Sequence, residues 1–195
     1  MVGSLDGIRV LELARYQAGP RGGMILSDLG AEVIKIEKPG GEETRRSPPL
    51  VRGQSVYFAV YNRGKKSLCL DLRDPRGKEI FAALVPTADV VLENFRPGTM
   101  AQMGFGYEQL CALKPDIILT SVSGFGQYGP YRERPAFDPL AGEIYLPGAT
   151  IKLSKTPGRV APVPTPGQHT DEVLSRLLGY ERASLDELRR AAVIA

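Results

Sequence analysis

The stretch from Leu5 to Glu37, LDGIRVLELARYQAGPRGGMILSDLGAEVIKIE, decides the fold. Ile8, Val10, Leu11 and Leu13 form a short apolar run bounded by polar residues, the pattern of a buried strand. Gln17-Ala18-Gly19-Pro20 breaks it as a glycine-rich turn. Met24, Ile25, Leu26 and Leu29 then recur at helical spacing, and Gly30 stands where a helix C-terminal glycine belongs. Val33, Ile34 and Ile36 form the next apolar run. Strand, helix and strand make a βαβ unit, whose strands pair in parallel through a right-handed crossover. The turn carries Gly19, Gly22 and Gly23 in place of the pattern G-x-G-x-x-G, which argues against a nicotinamide cofactor.

The same alternation continues outward. Pro39 to Pro49 reads as a loop, and Ser55 to Tyr61 as a short helix or strand. Leu68, Leu70 and Leu72 alternate with polar residues, as a strand does. Asp74 then suits a helix N-cap with Pro75 in the first turn, and Ile80, Phe81, Leu84 and Val85 give that helix a buried face. Ala88 to Leu92 and Asp116 to Val122 read as buried strands, with short helices at Pro97 to Met103 and Tyr107 to Leu113 between them. A proline-rich stretch follows from Ala141 to Gly167. Thr170 to Leu178 is a helix with Asp171 and Glu172 in its first turn, and Ser184-x-x-Glu187 reads as a capping box opening a last helix. The expected fold is α/β: an open parallel Rossmann-like sheet with helices on both faces and C-terminal helices packing back on it.

Composition bounds the function. The 195 residues are 43% hydrophobic and 24% charged, enough to bury a core, and the net charge of +3 indicates neither nucleic acid nor an anionic membrane. Cys69 and Cys111 have no metal or redox spacing and read as buried thiols in a reducing compartment. No apolar run approaches the ~20 residues that span a bilayer, no secretory leader is visible, and the cytoplasm is the expected location.

Four stretches carry a resemblance. LDGIRVLEL with QAGP and LGAEVIKIEKPGG, then YNRGKKSLCLDLRDPRGK (Tyr61 to Lys78), ADVVLENFRPGTMAQMGFGYEQL (Ala88 to Leu110) and KPDIILTSVSGFGQYGPYRERPAFD (Lys114 to Asp138) closely resemble family III CoA-transferases, the CaiB/BaiF family. Residues 1–140 resemble the N-terminal part of the large domain, and 141–195 its C-terminal return. The long middle stretch and small domain that separate these in the family are missing, so the two matches abut near Pro139-Leu140-Ala141. Such a join should leave apolar faces uncovered, among them Ile117, Leu119 and Phe125.

The resemblance implies CoA transfer between an acyl-CoA thioester and a carboxylic acid, with coenzyme A as substrate, no permanently bound cofactor, no metal and an interlocked homodimer. In the family an aspartate in G-D-x-x-x-G attacks the thioester, giving an anhydride and then an aspartyl-CoA thioester. That pattern does not occur here. Two alternatives remain open, a 2-methylacyl-CoA racemase-like enzyme and an inactive CoA-binding remnant. Phe137 stands where racemases resemble Gly-His-Asp, and a phenylalanine exchanges no proton, which favours the transferases.

By the same resemblance Gln17 and Asp138 line the acyl site, Asp138 without being the nucleophile. Lys38 and Arg73 match basic positions facing CoA phosphates. Leu70, Asn94, Phe95 and Met103 match positions around the nucleotide, although by composition alone Leu70 and Phe95 are equally well explained as core. The single histidine, His169, reads as structural.

Overall fold

The computed structural model describes residues 3–134 and 163–195. Phe137, Asp138 and the join at 139–141 lie outside them. The opening unit forms as its pattern predicts: β1 (Arg9–Glu12), α1 (Ala18–Asp28) and β2 (Glu32–Glu37), with the two strands parallel and Leu11 opposite Ile34. α1 starts earlier than its apolar spacing suggests. Pro20 falls in its first turn, where no intrahelical N–H is needed. The glycines there belong to the helix and let it lie close on β1. A Cβ on Gly19 would sit 2.4 Å from Ala14 Cβ, and one on Gly23 would sit 1.7 Å from Glu12 Oε2. Gly30, at φ +109°, turns the chain out of the helix as expected.

β5 (Lys66–Cys69), β6 (Val90–Glu93) and β7 (Ile118–Ser121) complete a five-stranded parallel sheet in the order β5-β2-β1-β6-β7. A small antiparallel ladder, β3 (Leu50–Val51) with β4 (Gln54–Ser55), stands apart from it. β5 is shorter than the Leu68–Leu72 pattern predicts. Leu70 instead bridges Ile194 antiparallel, and Asp71 N donates to Val193 O at 2.9 Å.

Period-two alternation splits the strand residues between two faces. Leu11, Ile34, Leu68 and Val91 pack against α3 (Pro75–Leu84), the short α4 (Thr99–Gln102), α5 (Tyr107–Leu113), α6 (Thr170–Leu178) and α7 (Arg182–Arg190) in the main apolar cluster. Val10, Val33 and Leu92 face α1, beside α2 (Val56–Asn62). Ser55 caps α2 by accepting from Phe58 N, and Asp74 caps α3 by accepting from Arg76 N, with Pro75 in the first turn. The capping box at Ser184 does not form. α7 begins two residues earlier, because Gly179 at φ +71° ends α6 and leaves only a tight link to Glu181.

β7 departs from expectation. It is an edge strand, and Ile118 is 58% exposed. The expected uncovering holds for Phe125, 47% exposed, but not for Ile117, which is buried in the main cluster. Ile117 points beneath the sheet edge while its neighbour Ile118 takes the outward side of the pleat.

Candidate functional site

Four strands end together around one cavity of about 380 Å³. Leu13 follows β1, Ile36 and Glu37 close β2, Leu70 to Arg73 follow β5, and Phe95 follows β6; Lys38, Glu43 and Met103 complete the wall. Ligands in open α/β sheets bind at such carboxyl ends, where the strand order reverses. Leu13, Ile36, Leu70, Leu72, Phe95 and Met103 make the slot apolar, while Arg15, Lys38 and Arg73 stand at its rim.

The slot brings together Lys38, Leu70, Arg73, Phe95 and Met103 from the sequence reading, and it leaves Gln17 and Asn94 off its wall. Gln17 is the N-cap residue of α1, and its side chain makes no cap hydrogen bond. The Asn94 amide is spent on backbone: Oδ1 accepts from Arg15 N at 2.8 Å, and Nδ2 donates to Arg15 O at 2.7 Å. That clamp fixes the turn in which Tyr16 takes a left-handed φ of +67°.

The rim cations are held in place by carboxylates. Lys38 Nζ donates to Glu43 Oε1 at 2.6 Å, and Arg73 grips Asp71 through Nε and Nη2, both at 3.1 Å. The Arg73 side chain is 86% exposed, so an incoming anion can recruit it at small cost. Arg15, to which the resemblance assigns no role, has its guanidinium 5.6 Å from the Phe95 ring centroid.

Beneath the slot lies a charge cluster that no sequence pattern announces. Lys65 Nζ donates to both Glu12 oxygens at 2.8 and 2.7 Å, to Pro20 O at 2.9 Å and to Asn62 Oδ1 at 3.0 Å. Lys35 Nζ lies 3.2 Å from Glu12 Oε1 and 2.7 Å from Glu42 Oε2. Burial pulls the Lys35 ammonium down, but Glu12, Glu42 and Glu37 outweigh it and the net shift is upward. Glu37 is likewise pushed up by burial and brought below its ordinary value by the Arg45 fork, whose Nε and Nη2 donate at 2.7 and 2.6 Å. Lys65 goes the other way. Burial is the largest cause and brings its ammonium down to about 8, against the pull of Glu12.

That shift has a measurable consequence. The unfolded chain holds the Lys65 proton up to its ordinary 10.5, whereas the folded chain releases it from about 8. The unfolded state therefore binds more protons above pH 8, and stability rises with pH there. Burial lifts the Cys69 thiol from 9.0 to about 11, so above pH 9 its retained proton offsets the one Lys65 has lost and the rise levels off. Urea melts at pH 8 and pH 9 should show a gain of about 1 kcal/mol that Lys65→Met abolishes. A flat or falling wild-type profile between those points would contradict the assignment.

With the geometry in hand, three comparisons bear on it. The model of CoA-transferase family III matches residues 5–145. Acetyl-CoA:oxalate CoA-transferase of Acetobacter aceti is 49% identical over 139 residues, 71% of this chain and 36% of its own length. Succinyl-CoA:glutarate CoA-transferase of Mus musculus is 47% identical over 142 residues, 72% of this chain and 33% of its own length. The chain thus spans about a third of these curated relatives. Among solved structures, a CAIB/BAIF family protein from Brucella suis superposes with a TM-score of 0.67 at 46% identity, covering 71% of this chain and 38% of its own. Rv3272 from Mycobacterium tuberculosis superposes with the same score at 34% identity, covering 100% of this chain and 54% of its own.

Proposed function

Because this chain belongs to CoA-transferase family III, we propose that its slot takes the nucleotide end of coenzyme A or an acyl-CoA, as the CoA-holding part of a machine that moves CoA between a thioester and a carboxylic acid. The observation carrying this is the convergence of Lys38, Leu70, Arg73, Phe95 and Met103 on one cavity at the strand ends. Apolar walls suit the adenine ring, and the rim cations suit the phosphates. Gln17, at the N-terminus of α1, and Asp138 line the acyl end in this reading. Asn94 keeps its place beside the nucleotide in this reading, its amide clamping the Arg15 backbone there. The remaining features of the proposal come from the family alone: an aspartyl nucleophile in the missing middle segment, a cytoplasmic location and a homodimeric assembly. Among the described residues no helix is long and apolar enough to cross a membrane.

Calorimetric titration with CoA tests the slot. Binding is expected to be weak and to fall as salt is added, since exposed phosphate contacts are screened over about 10 Å at 0.1 M. A Lys38→Ala, Arg73→Ala double variant should lose affinity several-fold, and Leu70→Asp should abolish binding by charging the apolar wall. Unchanged binding in both variants would remove the slot from consideration.

A further inference from the structure

A second cavity lies behind the slot, and its charge balance is the reverse. It has a volume of about 250 Å³ and is lined by Arg45, Arg46, Gln54, Phe58, Ala59 and Val163 among others. Among the described residues no carboxylate lines it, whereas the slot is lined by Glu37, Glu42, Glu43 and Asp71. The two cavities share one partition, the ion pair of Glu37 on the slot side with Arg45 on the other.

Arg45 is mostly buried and rigidly held. Its guanidinium lies 3.9 Å from the Phe58 ring centroid. Nε and Nη2 are taken by Glu37, Nη2 also by Ser67, and Nη1 donates to Pro164 O at 2.9 Å. A guanidinium carries five N–H donors, so one on Nη1 is left over, on the group that also faces the cavity. Arg46 stands exposed at the mouth, and no described carboxylate pairs with it. Glu37 neutralises Arg45, so among the described residues the cavity keeps one uncompensated positive charge, that of Arg46. Phe58, Ala59, Val163, Pro164 and Pro166 supply an apolar wall beside that charge.

We propose that this second cavity binds a small aliphatic carboxylate. The carboxylate group meets Arg46 and the spare Arg45 donor, and the short hydrocarbon chain lies against Phe58, Ala59 and Val163. One monoanion cancels the one unpaired charge. Arginine recognises the planar carboxylate through a two-pronged fork, and the apolar wall separates such a ligand from a bare inorganic anion. The anion affinity stands on the cavity alone.

The test is a titration of the full chain with butyrate, followed by amide ¹H–¹⁵N correlation spectra, with inorganic phosphate and CoA titrated separately. Butyrate is expected to shift the amides of Gly40, Gly53 and Ala59 saturably, and phosphate to do so much more weakly. Arg46→Gln should weaken butyrate about tenfold, as expected for loss of a charged hydrogen bond. Arg46 is exposed and unpaired, so this change leaves the fold intact. Ala59→Leu fills the cavity from α2 without altering charge and should weaken butyrate to a similar degree. Absence of saturable shifts, unchanged affinity in Arg46→Gln, or equal binding of phosphate and butyrate would each overturn the proposal. CoA shifts at Leu70 and Leu72 report the slot independently, so butyrate binding without CoA binding would sink the CoA reading and leave the carboxylate site standing.

Discussion

Glu12→Ala is expected to cost about 3–5 kcal/mol, the range for removing one partner of a buried ion pair. Two buried ammonium groups, Lys35 and Lys65, share that carboxylate, and neither side chain has measurable exposure. Lys35 keeps Glu42 after the change, but Lys65 is left with only the neutral Pro20 carbonyl and the Asn62 amide. Domains of this size are stable by about 5–15 kcal/mol, so the variant should sit at the edge of unfolding at room temperature. Lys65→Met in the Glu12→Ala background removes the stranded ammonium and should restore part of the loss. Urea denaturation of the single and double variants measures both effects. A loss below about 1 kcal/mol for Glu12→Ala would mean that water reaches the cluster.

Acyl transfer by this chain alone should fall several orders of magnitude below the roughly 1 to 1000 turnovers per second of ordinary enzymes. The chain covers about a third of its curated relatives, and the G-D-x-x-x-G pattern that carries the nucleophile in the family is absent from its sequence. Removing a covalent nucleophile leaves only what binding and positioning contribute. The measurement is transfer from labelled acyl-CoA to a carboxylic acid acceptor. Turnover in the ordinary range would show that a residue of this chain replaces the family aspartate.

The legible parts of the fold were those whose cause is local. Asp74-Pro75 announces α3 because cap and first turn are settled by two adjacent residues. Ile34 and Ile36 mark β2 because alternation is a property of the strand itself. What stayed hidden depends on distant partners. Glu12 and Lys35 sit in otherwise apolar runs, and nothing near them in sequence says that Lys65 completes a buried cluster. Asn94 fits a ligand contact by its neighbours, but the backbone of Arg15 claims both ends of its amide. β7 reads as buried because its residues are apolar, yet burial depends on what lies beyond the sheet edge. Of the residues that the resemblance names, Lys38, Leu70, Arg73, Phe95 and Met103 line one cavity, because all but Met103 follow strands whose ends the parallel sheet aligns. Arg15 and Arg46 carry no role in the sequence, because which cavity a basic side chain reaches depends on residues far from it in the chain.

The docking of residues 163–195 has its own consequence. They meet the N-terminal sheet along β5 through a set of directional contacts: Arg45 on Pro164 O, Ser67 on Gly167 and His169, Cys69 N on Thr170 Oγ1, and Leu70 against Ile194. The segment therefore behaves as an intramolecular ligand of the N-terminal sheet. Leu70 belongs both to this docking surface and to the slot wall. Whatever fills the slot and whatever holds the segment thus meet at one residue, and a change in segment docking when the slot is filled would be the sign of coupling between them.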